Sequence, residues 1–325
     1  MRFATPIYVF VFLAALAAMT TSQIPSAHAA TPPTTAPVLA IAQTPTTLDI
    51  TIDGKPFTTY RFVETPDDPG WHRPYFYPVL MPGDVEITAD RYRQTLHDAT
   101  PEHPWHRSVW VGFGDVNGVD HWGHPAGEKK LQRHLKFDRV DADSFVEELA
   151  WDGPQPGKPV LTEIRTVKFI AYADGARGID LTSGLTAANG DVVFKCKPLN
   201  VSGVEAGWLA ARVSQDIATS KDSKITSSAG ATTEADARKL PANWCDYSGP
   251  IARKTFGIAE FDYPTNLGHP TAFAVRTFGL LTHIGTLNWT LAAGHSQSIR
   301  HMLVFHAEDA ASAHLDERYA EFAGR

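Results

Sequence analysis

Between His103 and Trp122 the chain gathers the side chains that could do chemistry. The run His103-Pro104-Trp105-His106-Arg107-Ser108-Val109-Trp110-Val111-Gly112-Phe113-Gly114-Asp115-Val116-Asn117-Gly118-Val119-Asp120-His121-Trp122 holds three His, one Arg, two Asp, one Asn and three Trp. Imidazole suits zinc, copper and iron, and His103 and His106 are three residues apart, as are His121 and His124. These pairs fall in segments marked as loops by Pro104, Gly114 and Gly118, not on a helix where i and i+4 share a face. No H-E-x-x-H motif is present, so no metal ligand set is assigned from spacing, and a metal cofactor stays open as an alternative. The other chemistry is sugar recognition. Trp105, Trp110 and Trp122 offer flat apolar faces, and His106, Arg107, Asp115, Asn117 and Asp120 offer the donors and acceptors that hydroxyls require. A site built to bond hydroxyls rejects analogues that lack them. Asn117-Gly118 also reads as a plain tight turn, because this pair favours φ > 0.

Three further groups combine aromatics with carboxylates. In Gly203 to Arg212, Glu205 precedes an apolar strand containing Trp208. Burial beside an indole would raise its pKa and suit it to general acid or base work. A surface Glu in a Gly-rich turn explains the same residues. The second group is Trp244-Cys245-Asp246-Tyr247-Ser248-Gly249, and the third runs from Asp262 to Pro270 and includes His269. No G-x-S-x-G elbow is present, which disfavours the usual serine hydrolases.

The elements that must carry these groups read as β. Leu48 to Ile52 and Phe57 to Val63 alternate around Asp53-Gly54, the signature of a hairpin. Trp71 to Leu80 contains Pro74 and Pro78, which lack an N–H, so an edge strand or extended loop is expected. Thr162 to Ile170 alternates cleanly, as in an antiparallel sheet with one solvated face. Ser214 to Lys239 is polar and reads as a long surface excursion. Only the C-terminus looks helical, with Leu315, Tyr319 and Phe322 on one face and Gly324 ending it. About 13 to 16 strands with frequent turns make a large antiparallel β-sandwich or barrel with a short C-terminal helix. No Gly-rich loop sits between a strand and a helix, so a Rossmann fold is disfavoured.

The start of the chain reads as an export signal. Arg2 precedes an apolar run from Ile7 to Met19, and Ala27-His28-Ala29 matches an A-x-A cleavage site. Residues 1–29 are therefore expected to be a signal peptide. Residues 30–46, rich in Thr, Pro and Ala, are expected to be a disordered linker, and 47–325 one β-sandwich domain. The apolar run is shorter than the roughly 20 residues of a spanning helix, so no membrane segment is expected after cleavage. Without the leader the balance is 28 basic against 36 acidic residues, or −8. That charge gives no general reason to bind nucleic acid. The expected compartment is periplasmic or secreted. There Cys196 and Cys245 could pair, and sequence spacing leaves that open.

His103-Pro104-Trp105-His106-Arg107, Trp110 and Gly114 to Trp122 resemble the signature of the PmoA-like family of exported bacterial proteins. So do Arg73 to Pro78, Trp244 to Gly249 and Gly257 to Pro270. The resemblance covers roughly Asp49 to the C-terminus. It implies a two-sheet supersandwich like that of galactose mutarotases and, by the family's "methane oxygenase" label, an oxygenase activity. The reading that combines residues and resemblance is an exported carbohydrate-active protein with a small-molecule or glycan substrate. His106 would be the acid and Glu205 the base. His103, Arg107, Trp110, Asp115, Asn117, Asp120, Trp122, Tyr247 and His269 would shape the pocket. A His-liganded metal enzyme and a non-catalytic glycan-binding module are the alternatives.

Overall fold

Alternation in the strands becomes two large stacked antiparallel sheets, with a four-stranded and a two-stranded sheet beside them. The computed structural model describes Met1 and residues 36–66, 73–90, 103, 105–123, 131–155, 158–195, 197–199, 203–205, 207–284 and 288–325, with 197–199 and 203–205 described by backbone alone. The expected signal segment lies outside these residues. Residues 36–325 form one compact unit. The first sheet runs, in spatial order, through Leu39–Gln43, Thr47–Ile52, Lys55–Arg61, Tyr75–Met81, Val109–Val111, Leu209–Arg212, Leu280–His283 and Phe273–Arg276. The second runs through Lys224–Ser227, Trp244–Ile251, Lys254–Asp262, Ser296–Ala307, Arg177–Thr186, Pro159–Ala171, Ser144–Asp152 and Gln132–Val140. Their facing side chains make one core, in which the Phe57 ring meets Phe169 and Phe305 at 6.1 Å each. Edge-to-face pairs of this kind add to the area they bury.

The hairpin forms as its residues dictate, with Asp53 at φ 51° and Gly54 at φ 72°, the two left-handed positions of a type I′ turn. Three expectations are corrected. Tyr75–Met81 is not an edge strand, since it pairs with both Lys55–Arg61 and Val109–Val111. Pro78 is accommodated because the pairing with Lys55–Arg61 shifts register there, from Thr58↔Val79 to Tyr60↔Phe76. Leu39–Gln43, assigned by composition to the linker, adds an edge strand to Thr47–Ile52, because Leu39 and Ile41 pack against the core. The 214–239 excursion contains two one-turn helices, Gln215–Ala218 and Glu234–Ala237, and the strand Lys224–Ser227. Ile217, Ile225 and Ala237 supply its buried anchors.

Each sheet has a covered outer face. The C-terminal helix Leu315–Ala323 lays Leu315 and Phe322 against Trp244, Phe261 and Met302 of the second sheet. Full burial of such side chains stabilises by about 1.5–3 kcal/mol each. The first sheet carries Tyr75, Trp110, Ala210 and Leu280 outward, with Trp122 packed on them and Trp105 and Phe278 half-buried beside it. No helix among the described residues is long and apolar enough to cross a membrane. Cys245 is a buried free thiol, so the pairing left open by sequence is not formed; Cys196 lies outside the described residues.

The interior also holds a charged network. Arg165 binds Glu163 through two nitrogens, each at 2.9 Å, and reaches the Tyr60 hydroxyl at 3.1 Å. Trp151 Nε1 and Ser183 Oγ donate to Glu163 at 2.7 and 2.5 Å, and Trp208 Nε1 donates to Ser183 Oγ at 3.0 Å. Buried ions persist when their remaining valences are satisfied in this way.

Candidate functional site

Strand alternation delivers the His103–Trp122 run to the outer face of the first sheet. Val109 and Val111 enter the core while Trp110 points away, opposite Ala210 in register. Arg212, two residues beyond Ala210, shares that outward face. Its Nη1 lies 3.2 Å from His106 Nδ1. A guanidinium only donates, so His106 Nδ1 accepts and the imidazole is neutral with its proton on Nε2. The His106 ring sits in a column. It stacks on His103 at 5.0 Å and on Trp110 at 5.1 Å, and His103 stacks on Phe278 at 4.7 Å. His106 and Trp110 are buried, whereas His103, Trp105 and Phe278 are half-exposed. His103 (φ 54°) and Ser108 (φ 58°) bracket His106 in left-handed backbone, which costs a non-glycine residue energy and collects at functional sites.

Two more arginines lock this surface. Arg107 pairs with Asp90 at 2.8 Å and donates to Tyr75 Oη at 2.7 Å, with both charged groups buried. Arg73 donates to the carbonyls of His121 and Trp122 at 2.5 and 2.9 Å, and burial lowers its pKa to about 9. Asp120 Oδ1 accepts from the backbone of Trp122 and Gly123, both at 2.9 Å. His121 donates Nε2–H to the Asp152 carbonyl at 3.1 Å, and burial lowers its pKa to about 3.

The predicted pocket residues therefore divide. His103, His106, Arg107, Trp110 and Trp122 do come together. Asp115 and Asn117 instead build the turn. Asp115 Oδ1 accepts from Gly118 N at 2.6 Å. Asn117 (φ 51°) accepts from Val193 N at 2.7 Å and donates to the Asp191 carbonyl at 3.1 Å, tying the turn to a neighbouring strand. The Glu205 backbone pairs with Lys197, and its side chain lies outside the described residues. Tyr247 is buried in the second sheet and donates to the Thr277 carbonyl at 3.0 Å, next to Phe278. His269 belongs to a different cluster.

That cluster sits at one end of the sandwich, between the sheets. Along Lys254–Asp262, Phe256 and Ile258 face the core, and Glu260 and Asp262 continue the same face. His301 has the same parity as Ile299, Leu303 and Phe305 and is the register partner of Asp262. His283 shares the inward side of Leu281 on the opposing sheet. The His283 and His301 rings lie 3.9 Å apart. Asp262 accepts from Asn266 at 2.8 Å and His269 at 2.9 Å and lies 3.3 Å from His301 Nε2. Burial works to raise the Asp262 carboxyl, but His301 and the neighbouring donors outweigh it and hold it well below the usual carboxylate range. Burial pushes Glu260 up to about 8 and His283 down to about 4. A recess of about 20 Å³ opens beside Asp262, His283 and His301, walled by Phe113, Trp208 and Trp289. Spacing could not find this group, because 41 residues separate Glu260 from His301. Acids on the apolar parity of a strand were its one available signal.

The outer-face cluster and the recess define an all-β sandwich protein with two concentrations of ionisable side chains. The chain belongs to a family of unknown function (DUF6807), whose model matches residues 47–320. That description carries no activity, so the oxygenase label implied by the PmoA-like resemblance finds no support in it. A comparison with curated proteins gives no match. Among solved structures, the chain is similar to a 4-alpha-glucanotransferase from Thermococcus litoralis, with 8% identity and a TM-score of 0.34, over 84% of this chain and 40% of that one. It is also similar to a polysaccharide lyase, with 10% identity and a TM-score of 0.32, over 85% of this chain and 33% of that one. The chain spans less than half the length of either.

Proposed function

We propose that this is an exported, carbohydrate-active protein that engages a sugar or glycoside on the outer face of the first sheet. One observation carries the reading, namely the ring column in which half-exposed Phe278 and His103 cover a buried His106. Flat aromatic surface next to fixed donors is what a sugar ring with several hydroxyls requires. Arg212 holds His106 as the neutral Nε2–H tautomer, whose N–H can donate a hydrogen bond to a leaving oxygen. His106 takes the acid's place through that hydrogen bond and Glu205 is the base, while Trp105 and His103 hold the ring. The apolar run from Ile7 to Met19 and the Ala27-His28-Ala29 site support export to the periplasm or beyond. The test is turnover on an identified substrate. His106→Ala and Glu205→Gln should each abolish it, and turnover intact in both would overturn the assignment.

The full burial of His106 favours a second reading, a glycan-binding module without turnover. Saturable sugar binding with no product would support it.

A further inference from the structure

The cluster at the end of the sandwich has features that an acid–imidazole packing arrangement does not need. Glu260 faces the core with no exposure, and the group it meets is His283 Nδ1 at 3.3 Å rather than an Arg or Lys. Among the described residues, Glu260 Oε2 and His301 Nδ1 are buried with no hydrogen-bond partner. Native structures seldom leave buried carboxylate and imidazole lone pairs unused. The other ring nitrogen of His301, Nε2, already has neighbours, lying 3.3 Å from Asp262 Oδ1 and 3.4 Å from Asn266 Nδ2.

We propose that Glu260, His283 and His301 form a binding site for a divalent transition-metal ion. Asp262 orients His301 from behind, and the recess beside Trp208 supplies the open coordination positions. Four observations meet here. The three residues each offer a ligand atom, and these atoms lie within 4.8 Å of one another. Ligands about 2.0–2.2 Å from a metal stand roughly 3–4 Å apart, so closure needs a shift of about 1 Å. Two imidazoles and one carboxylate suit zinc and the first-row transition metals and leave positions free for water or substrate. A carboxylate behind a ligating His is the usual way its tautomer is fixed. Finally, all three residues sit on regular strands, with His283 on one sheet and Glu260 and His301 on the other, so the ion would tie the two sheets together.

This inference does not rest on the carbohydrate reading, which concerns the opposite face of the first sheet. It is tested on the full chain with Zn²⁺, Mn²⁺ and Co²⁺ supplied singly. After dialysis, metal analysis should find one equivalent per chain. The thermal midpoint should rise with metal concentration, as binding to the folded state requires. The Co²⁺ form should show visible bands from imidazole and carboxylate ligands. Glu260→Gln and His283→Gln should lose the stoichiometric ion while keeping the far-UV spectrum. Asp262→Asn should weaken binding by about 10–100-fold, as loss of a group behind a ligand does. His103→Gln should leave the stoichiometry unchanged. Should the Gln variants fail to fold, X-ray absorption of the wild-type Co²⁺ form decides, with two imidazoles and an oxygen donor expected. No saturable binding of any of the three ions, full stoichiometry in both Gln variants, or a first shell without imidazole would overturn the proposal.

Discussion

Arg212 donates to His106 Nδ1 at 3.2 Å, in a position where neither side chain meets solvent. This fixes which nitrogen of the imidazole carries the proton, because the guanidinium has no acceptor. Long-range ¹⁵N correlation spectra should show His106 as a single Nε2–H tautomer. Arg212→Met should blur that signature into exchange between forms and lower stability by about 1.5–3 kcal/mol, the range for a hydrogen bond from a charged group. A protonated or Nδ1–H imidazole in the wild type would contradict the geometry.

Acid should destabilise the fold through His121. Its pKa falls from 6.5 to about 3 because it is buried. The unfolded imidazole takes up a proton near 6.5, whereas the folded one resists until about 3. The stability is therefore complete above 6.5 and is lost as pH falls toward 3, with a slope of up to about 1.4 kcal/mol per pH unit from this group. Urea midpoints recorded against pH should show His121→Gln with a shallower acid slope than wild type. Parallel curves would refute the assignment.

The Glu163–Arg165 pair should behave as a buried ion pair. Glu163→Ala takes from Arg165 its directly bonded carboxylate, leaving Glu147 beyond Tyr60 as the nearby acid, and should cost about 3–5 kcal/mol. The double variant Glu163→Leu with Arg165→Met should cost less than Glu163→Ala alone, since the guanidinium that lost its partner is removed as well. Chemical denaturation of the wild type and both variants measures this, and a double variant destabilised as much as Glu163→Ala or more would contradict it.

Asn117 should matter to folding and not to ligand. Its left-handed backbone and its bonds to Val193 and Asp191 predict that Asn117→Ala loses about 1–3 kcal/mol. Asn117→Gly should lose less, because glycine removes the strain. Sugar binding by the folded glycine variant should equal that of wild type.

The sequence made the β class, the Asp53-Gly54 hairpin and the C-terminal helix legible, because alternation, turn chemistry and helical spacing are local. It did not reveal which parity faces inward. In the strand from Pro159 to Ala171, Glu163 and Arg165 are buried while Ile164 is 42% exposed. Pairing on both sides and the charged network decide that, and neither is written in the strand itself. The same holds for Glu260, His283 and His301, which come from three strands and meet only when the sheets close. By contrast, His103, His106, Trp110 and Trp122 were visible as a group, since one strand and its flanking loops carry them all. Asp115 and Asn117 read in sequence either as ligands or as turn formers, because turn-forming and hydroxyl-binding side chains are the same residue types, and both make hydrogen bonds in the turn.

A sugar is expected to meet the His103–Trp105–Phe278 surface. Saturation-transfer NMR of the wild-type chain with a mixed library of mono- and oligosaccharides, repeated with Trp105→Ala, measures it. The prediction is ring-proton transfer to at least one sugar in the wild type and its loss in the variant. Transfer that persists unchanged in Trp105→Ala, or no transfer to any sugar, would contradict it.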